Sequence, residues 1–438
     1  MTRSRLHLYV LWLLLASFGG TNTPAPARAQ TIGTTLIIGY SGQGRPIDAV
    51  RFGNGSRKLV VVGDTHGGPE ANTYVLTTQL IDYFQQHADQ IPSDVRLYLV
   101  PTLNPDGLAL GTRFNANGVD LNRNMNTDLD TCAENDWRIT VHGAYGLIAD
   151  TGGAYADSED ESRVIRDFLL DANGAIFIHS NAGLVFPAFC EHAPSIAMGQ
   201  LYAEGAGYLY NRYWPKYMIT GGMHDWAGSL GIAAITPELV TGNDSEFAQN
   251  LAGLKAVLAA ADTVLPAPEA HVENGIAIPA IIWRYWKAYG GDTRFGPPLA
   301  PPTAAAGVTR QAFVNAVLEL HLDQADTGAI VKPALIGQAA APVADDGSGH
   351  FFAATGHNLS GAFLAAWQRA DGLRVYGLPT SEELTIAASD GQHRTAQRFE
   401  RALLTRDPAD GSVRAEPLGW AVLLRERLMQ PTQPFQLR

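Results

Sequence analysis

Three residues of this chain have the types and placement of an open metal site. His66 and Glu70 lie in GDTHGGPE and His179 lies in IFIHSN, each directly after a short β-branched run. Two imidazoles and a carboxylate hold zinc while leaving a fourth coordination position free. One histidine at a strand end is commonly structural; two with a glutamate, all at the same kind of position, favour the metal. A second group sits in a loop rich in Gly, Pro and Asn. There TLNPDG (102–107) is followed by Arg113 and then by GVDLNRN (118–124), which sets Asn122 beside Arg123. Loop arginines are usually solvated and idle. A guanidinium next to an amide also suits a bound carboxylate, because its paired donors match two oxygens.

The segments that must carry these residues alternate in pattern. KLVVVGD (58–64), VRLYLVP (95–101), AIFIHS (175–180) and IAAITPEL (232–239) read as buried strands. Between them, 71–87 has Val75, Leu76, Leu80, Ile81 and Phe84 at helical spacing, and 162–171 behaves similarly. Strands alternating with helices predict an α/β domain with a mixed, mostly parallel sheet flanked by helices. In such sheets the chemistry gathers where strands end and loops begin. Both histidines fall there.

In this order the residues resemble the zinc carboxypeptidases of the funnelin type, over about Gly63 to Thr241. The resemblance implies His66, Glu70 and His179 as ligands of one zinc ion and Arg113 facing the scissile carbonyl. It implies that Asn122 and Arg123 bind the substrate's terminal carboxylate. YMITGGMHDW (217–226) matches the segment with a mobile tyrosine, here Tyr217, and the pocket floor, here His224; ITPEL supplies Glu238 as general base. One departure stands out: the family spaces its first His and Glu as H-x-x-E, whereas HGGPE has one residue more. Gly67 and Gly68 give backbone freedom and Pro69 suits the first turn of a helix, so the loop can absorb it. Asp64 is the fallback ligand.

MTRSRLHLYVLWLLLASFGG has Arg3 and Arg5 ahead of an apolar run too short to span a bilayer, and Ala27-Arg28-Ala29 precedes Gln30. This is the pattern of a secretory signal cleaved near Ala29/Gln30, so the protein is expected to be secreted, extracellular or in the cell envelope. No later segment reads as a membrane span. Removing three arginines takes the net charge from 31 − 43 = −12 to 28 − 43 = −15, which argues against nucleic acid or anionic lipid as a partner. Two cysteines, Cys132 and Cys190, are too few for a disulfide scaffold. In an exported chain one bridge is the expectation, with two buried thiols as the alternative.

The strongest composition break is VLPAPEAHVENG (264–275). The expected organisation is a leader over 1–29, a catalytic domain over 30–263, a linker over 264–277 and a two-copy repeat domain over 278–438, the copies at about 278–345 and 350–425. In the first copy Trp286 is followed ten residues later by Gly296, and in the second Trp367 by Gly377; Phe313 corresponds to Phe399. The repeats are similar to the LGFP type of secreted bacterial proteins, which implies attachment to a cell-envelope polymer. The whole reads as a secreted zinc carboxypeptidase acting on peptides or on peptidoglycan stem peptides. The alternative is a non-catalytic, envelope-associated binding protein on a peptidase-like domain.

Overall fold

The computed structural model describes residues 33–143, 146–387 and 390–429; the leader expected over 1–29 lies outside them. A nine-stranded mixed sheet forms the centre. Its strands are β1 (Thr34–Tyr40), β2 (Pro46–Phe52), β3 (Arg57–Val62), β4 (Val95–Val100), β5 (Gly174–Phe177), β6 (His179–Ser180), β7 (Leu184–Pro187), β8 (Leu209–Tyr210) and β9 (Ala233–Leu239). The order is β1-β2-β4-β3-β5-β9-β7-β8, with β6 also beside β9. Pairing is parallel through β4-β3-β5-β9 and antiparallel at β1-β2, β2-β4 and β9-β7. The middle strands are buried along almost their whole length, as expected when both sheet faces are covered.

All four strands and both helices read from the sequence are present. The hairpin β1-β2 and the outer strands β7 and β8 are additions that pattern alone did not reveal. Helix α1 (Ala71–Gln86) buries Leu76, Leu80 and Phe84 as expected, but Val75 is 46% exposed. The buried face turns toward Thr73 and Thr77 instead. The cause is close approach: a Cβ on Gly63, at the end of β3, would meet Thr77 Oγ1 at 2.4 Å. Only a small side chain fits there. Its hydroxyl is satisfied inside the helix, by donation to the Thr73 carbonyl.

Within 264–277, expected to be a linker, His271–Glu273 and Ile276–Ile278 pair as an antiparallel hairpin. The chain then enters helix α2 (Ala280–Ala288) without leaving the α/β core. Ile282, Tyr285, Trp286 and Phe313 belong to the same apolar cluster as Ile165, Phe168 and Leu170 of the first domain. Arg284 is 2% exposed and donates to the carbonyls of Leu230, Leu170, Ala172 and Gly231 at 2.8 to 3.2 Å. Farther on, Arg166 reaches Asp157, Tyr289 and Asp371, and Arg374 pairs with Asp167. Buried apolar area and charge-assisted bonds therefore cross the boundary together. In each half of the C-terminal region the tryptophan indole donates to the glycine carbonyl ten residues on, Trp286 to Gly296 at 3.0 Å and Trp367 to Gly377 at 2.9 Å. Each half also pairs its proline with its phenylalanine, Pro298 with Phe313 and Pro379 with Phe399.

Among the described residues no helix is long and apolar enough to cross a membrane. Cys132 and Cys190 are bridged, with Cα atoms 5.7 Å apart. A chain ended at residue 264 should lose cooperative unfolding or precipitate, because part of its core is supplied from beyond that point. Arg284→Ala, which leaves buried carbonyls without a donor, should cost about 3 kcal/mol or more in urea unfolding.

Candidate metal centre

The register of β6 on β9 is what brings the centre together. It sets His179 opposite Glu238 in a parallel pair. His66 comes from the turn after β3, the next strand but one. Between His66 and α1 the chain makes a single tight turn over Gly68–Glu70, with Pro69 at its first positions. Gly67 has φ of 52°, and a Cβ there would lie 2.2 Å from the Thr112 carbonyl oxygen. A Cβ on Gly68 would lie 2.5 Å from Gly111. The extra residue of HGGPE is thus taken up by a left-handed glycine pressed against the 107–112 backbone, and Glu70 still points back to His66.

His66 Nδ1 lies 2.7 Å from Glu70 Oε1, His179 Nδ1 lies 3.0 Å from Glu70 Oε2, and the two Nδ1 atoms are 3.1 Å apart. All three side chains are buried. Burial pushes the His179 pKa down to about 4, so that ring is neutral at pH 7 and has a lone pair to give. Burial opposes ionisation of Glu70, but the two histidines hold its carboxyl well below the usual range. Two facing imidazole nitrogens and a carboxylate, mutually within 4.8 Å, form a donor set of borderline softness that fits zinc. Asp64 is not in the group: its Oδ2 accepts from Thr102 Oγ1 at 2.5 Å, and burial pushes its pKa up to about 7.

Asp120, the one acid of GVDLNRN, was not singled out from the sequence, and it completes the centre. Its Oδ1 is 2.9 Å from His66 Nε2 and its Oδ2 accepts from Arg113 Nε at 2.9 Å. We assign the His66 proton to Nε2 on this contact, which leaves Nδ1 free for a metal. Arg113 Nη2 also lies 3.0 Å from the same nitrogen, a contact a protonated Nε2 cannot accept. The carboxylate contact is the stronger of the two and decides the tautomer. For His66 burial and Arg113 lower the pKa, but Glu70 and Asp120 outweigh them and the net shift is upward. The signal for Asp120 was its position, two residues before Asn122 in a loop already under suspicion.

The centre opens into a cavity of about 110 Å³ whose lining includes Arg113, Asn122, Arg123, Tyr217 and Glu238. Both loop arginines differ from the solvated expectation. Arg123 is 2% exposed and gives Nε to the His142 carbonyl and Nη1 to that of Asn122. Arg113 spends its donors on Asp120 and Glu70. Asn122 Oδ1 accepts from the Met223 amide, and its Nδ2 lies 3.4 Å from His179 Nε2. Burial, and then Glu70, push the Glu238 pKa up to about 8. Tyr217 packs on Trp214 with its ring 5.7 Å from the Arg123 guanidinium. His224 does not line this cavity. It sits in an adjacent apolar one of about 300 Å³ with Phe186, Trp214 and Tyr217, its Nε2 3.1 Å from Asp225 Oδ1.

Residues 27–187 match the zinc carboxypeptidase family model. The matched stretch holds His66, Glu70, Arg113, Asn122, Arg123 and His179, and ends before Tyr217, His224 and Glu238. The chain is 34% identical over 118 residues to bacteriocin BCN5 of Clostridium perfringens, which is 24% of this chain and 13% of that protein. It is 29% identical over 109 residues to carboxypeptidase SOL1 of Arabidopsis thaliana, 22% of each. The chain thus spans about a fifth or less of the length of these curated relatives. Solved structures similar to it include carboxypeptidase A from Helicoverpa armigera, with TM-score 0.43 and 20% identity over 53% of this chain and 69% of that one. Murein-tripeptide amidase MpaA from Escherichia coli O157 matches with TM-score 0.38 and 21% identity over 54% and 93%.

Glu70→Gln should lose zinc and Asp64→Asn should keep it, measured by metal analysis after dialysis. Asp120→Asn keeps all three ligand side chains and should still weaken zinc about 10- to 100-fold, the usual cost of losing the carboxylate behind a ligating histidine. The raised His66 pKa means that a proton must leave before metal enters. Zinc affinity should therefore rise with pH from 6 to 8 in a chelator competition, and more steeply than for an unperturbed histidine site.

Proposed function

We propose that this chain is an exported zinc carboxypeptidase that hydrolyses the last peptide bond of a peptide or of a peptidoglycan stem peptide. The observation that carries this reading is the placing of Glu238 opposite His179 in the β6-β9 register, with its carboxyl in the same cavity as the three metal donors and Arg123. No cation forms an ion pair with Glu238 among the described residues, and a carboxyl with its pKa pushed up to about 8 can take and return a proton. The match to a zinc carboxypeptidase family model over 27–187 supports the same chemistry.

Zinc held by His66, Glu70 and His179 would supply a Lewis acid that polarises a carbonyl and acidifies water. The remaining work falls to the chain's own groups. Arg123 has its Nη2 free of partners among the described residues, and with the Asn122 amide it receives the substrate's terminal carboxylate. This makes the enzyme an exopeptidase. Arg113, held in place by Asp120 and Glu70, presents positive charge where the scissile carbonyl oxygen becomes anionic. Glu238 takes the proton of the attacking water and delivers it to the leaving nitrogen. Tyr217 and His224 belong to the wall that receives the terminal side chain. The extra residue of HGGPE is absorbed at Gly67. We further propose that the two C-terminal halves are copies of one module and attach the enzyme to an envelope polymer, on the strength of their matching tryptophan and proline contacts.

Glu238→Gln should keep zinc and bind peptide while losing about 10³-fold or more in turnover, at or beyond the middle of the range for a general acid and base. Turnover within tenfold of wild type in a zinc-loaded preparation would make Glu238 structural. Peptides with an amidated carboxyl terminus should be poor substrates, and Arg123→Ala should erase the preference for the free acid. Because Arg123 is buried, its removal should also lower the melting temperature, which separates the two effects when both are measured.

A further inference from the structure

Three cations line the metal cavity, Arg113, Arg123 and Lys216. Arg113 is neutralised where it stands, by Asp120 and Glu70. Arg123 has no ion pair among the described residues and keeps one guanidinium nitrogen free; the terminal carboxylate of a peptide accounts for it. Lys216 is left over. It makes no hydrogen bond or ion pair among the described residues, and its ammonium rests 5.1 Å from the centre of the Trp214 ring, which lines the same cavity. Lys216, Arg123 and Glu238 line the same cavity. In a chain of net charge −12, an acid partner for a rim lysine would be easy to supply. Here none is.

A peptide has one terminal carboxylate, and two cations of this cavity, Arg123 and Lys216, make no ion pair among the described residues. We propose that the preferred substrates bear a second carboxylate close to the scissile bond, and that Lys216 binds it. The inference rests on the carboxypeptidase reading above. Two sources supply that chemistry: an acidic side chain on the last residue, or an acidic group on the residue before it, including the free α-carboxylate left when an acidic residue is linked through its side chain. Lys216 suits either, because a lysine carries a point charge with three donors on a flexible four-carbon stem. It is exposed at the rim, so its contribution is an electrostatic one that selects among substrates rather than a structural one. A substrate with a lysine or arginine at these positions would be repelled.

The test compares a neutral reference peptide with one ending in Glu, one with Glu next to last, and one in which that Glu is linked through its side chain. In the wild type at least one acidic peptide should exceed the neutral reference about tenfold in kcat/KM, and the arm that does identifies the source. Lys216→Met should bring that ratio close to one, and Lys216→Glu should invert it. An unchanged ratio in Lys216→Met, or no acid preference in the wild type, overturns the proposal. Binding gives a readout independent of turnover: Trp214 fluorescence titrated with glutarate and with butyrate at equal ionic strength. Glutarate should bind about tenfold tighter in the wild type and lose that advantage in Lys216→Met. If no peptide is cleaved, the carboxypeptidase reading fails, and equal binding of glutarate and butyrate then overturns the second-carboxylate site as well.

Discussion

The close approach of His66, Glu70 and His179 is the constraint on which the rest of the α/β domain depends. Two imidazole nitrogens 3.1 Å apart, with a buried carboxylate against both, leave little tolerance for movement of any of the three chain segments. One segment leaves β3, another opens α1, and the third is β6 on β9. Each needs a local concession. Gly67 adopts a left-handed conformation against the 107–112 backbone, Thr77 stands where a larger residue would clash with Gly63, and β6 is a two-residue strand that pairs with β9. Asp120 then carries the constraint outward, tying His66 to Arg113 and hence to the loop that carries Asn122 and Arg123.

Charge is arranged around the centre rather than merely near it. Arg113 and Asp120 form a compensated pair behind the ligands, so their fields orient His66 without adding net charge. Arg123 and Lys216 line the cavity with no ion pair among the described residues. Inside this pocket, burial keeps the proton affinity of Glu238 high while the surrounding cations limit how high.

The C-terminal region is part of the same folded body as the α/β domain. Arg284 caps four carbonyls of the first domain, and Arg166 gathers Asp157, Tyr289 and Asp371 from three parts of the chain. A buried arginine that makes four hydrogen bonds is costly to strand, so these contacts hold the two regions in one arrangement. Any polymer held by the C-terminal halves would therefore be held at a set distance and orientation from the metal centre.

The alternating apolar runs were enough to foresee the α/β class, the four central strands and the two helices, because buried parallel strands and amphipathic helices leave strong local patterns. The same reasoning found both histidines and the glutamate, since each closes a strand or opens a helix beside glycines. Residue spacing could not show that Asp120 lies behind His66, that Arg123 is buried, or that Val75 faces solvent. These follow from which segments meet in space. Nor could composition show that 271–278 forms a hairpin or that Arg284 reaches back to the first domain, because a Pro- and Ala-rich stretch looks the same whether it swings free or is packed. Local sequence determines what each element is; the burial of side chains between elements distant in sequence decides where its charges end up, and here that decides what the pocket can bind.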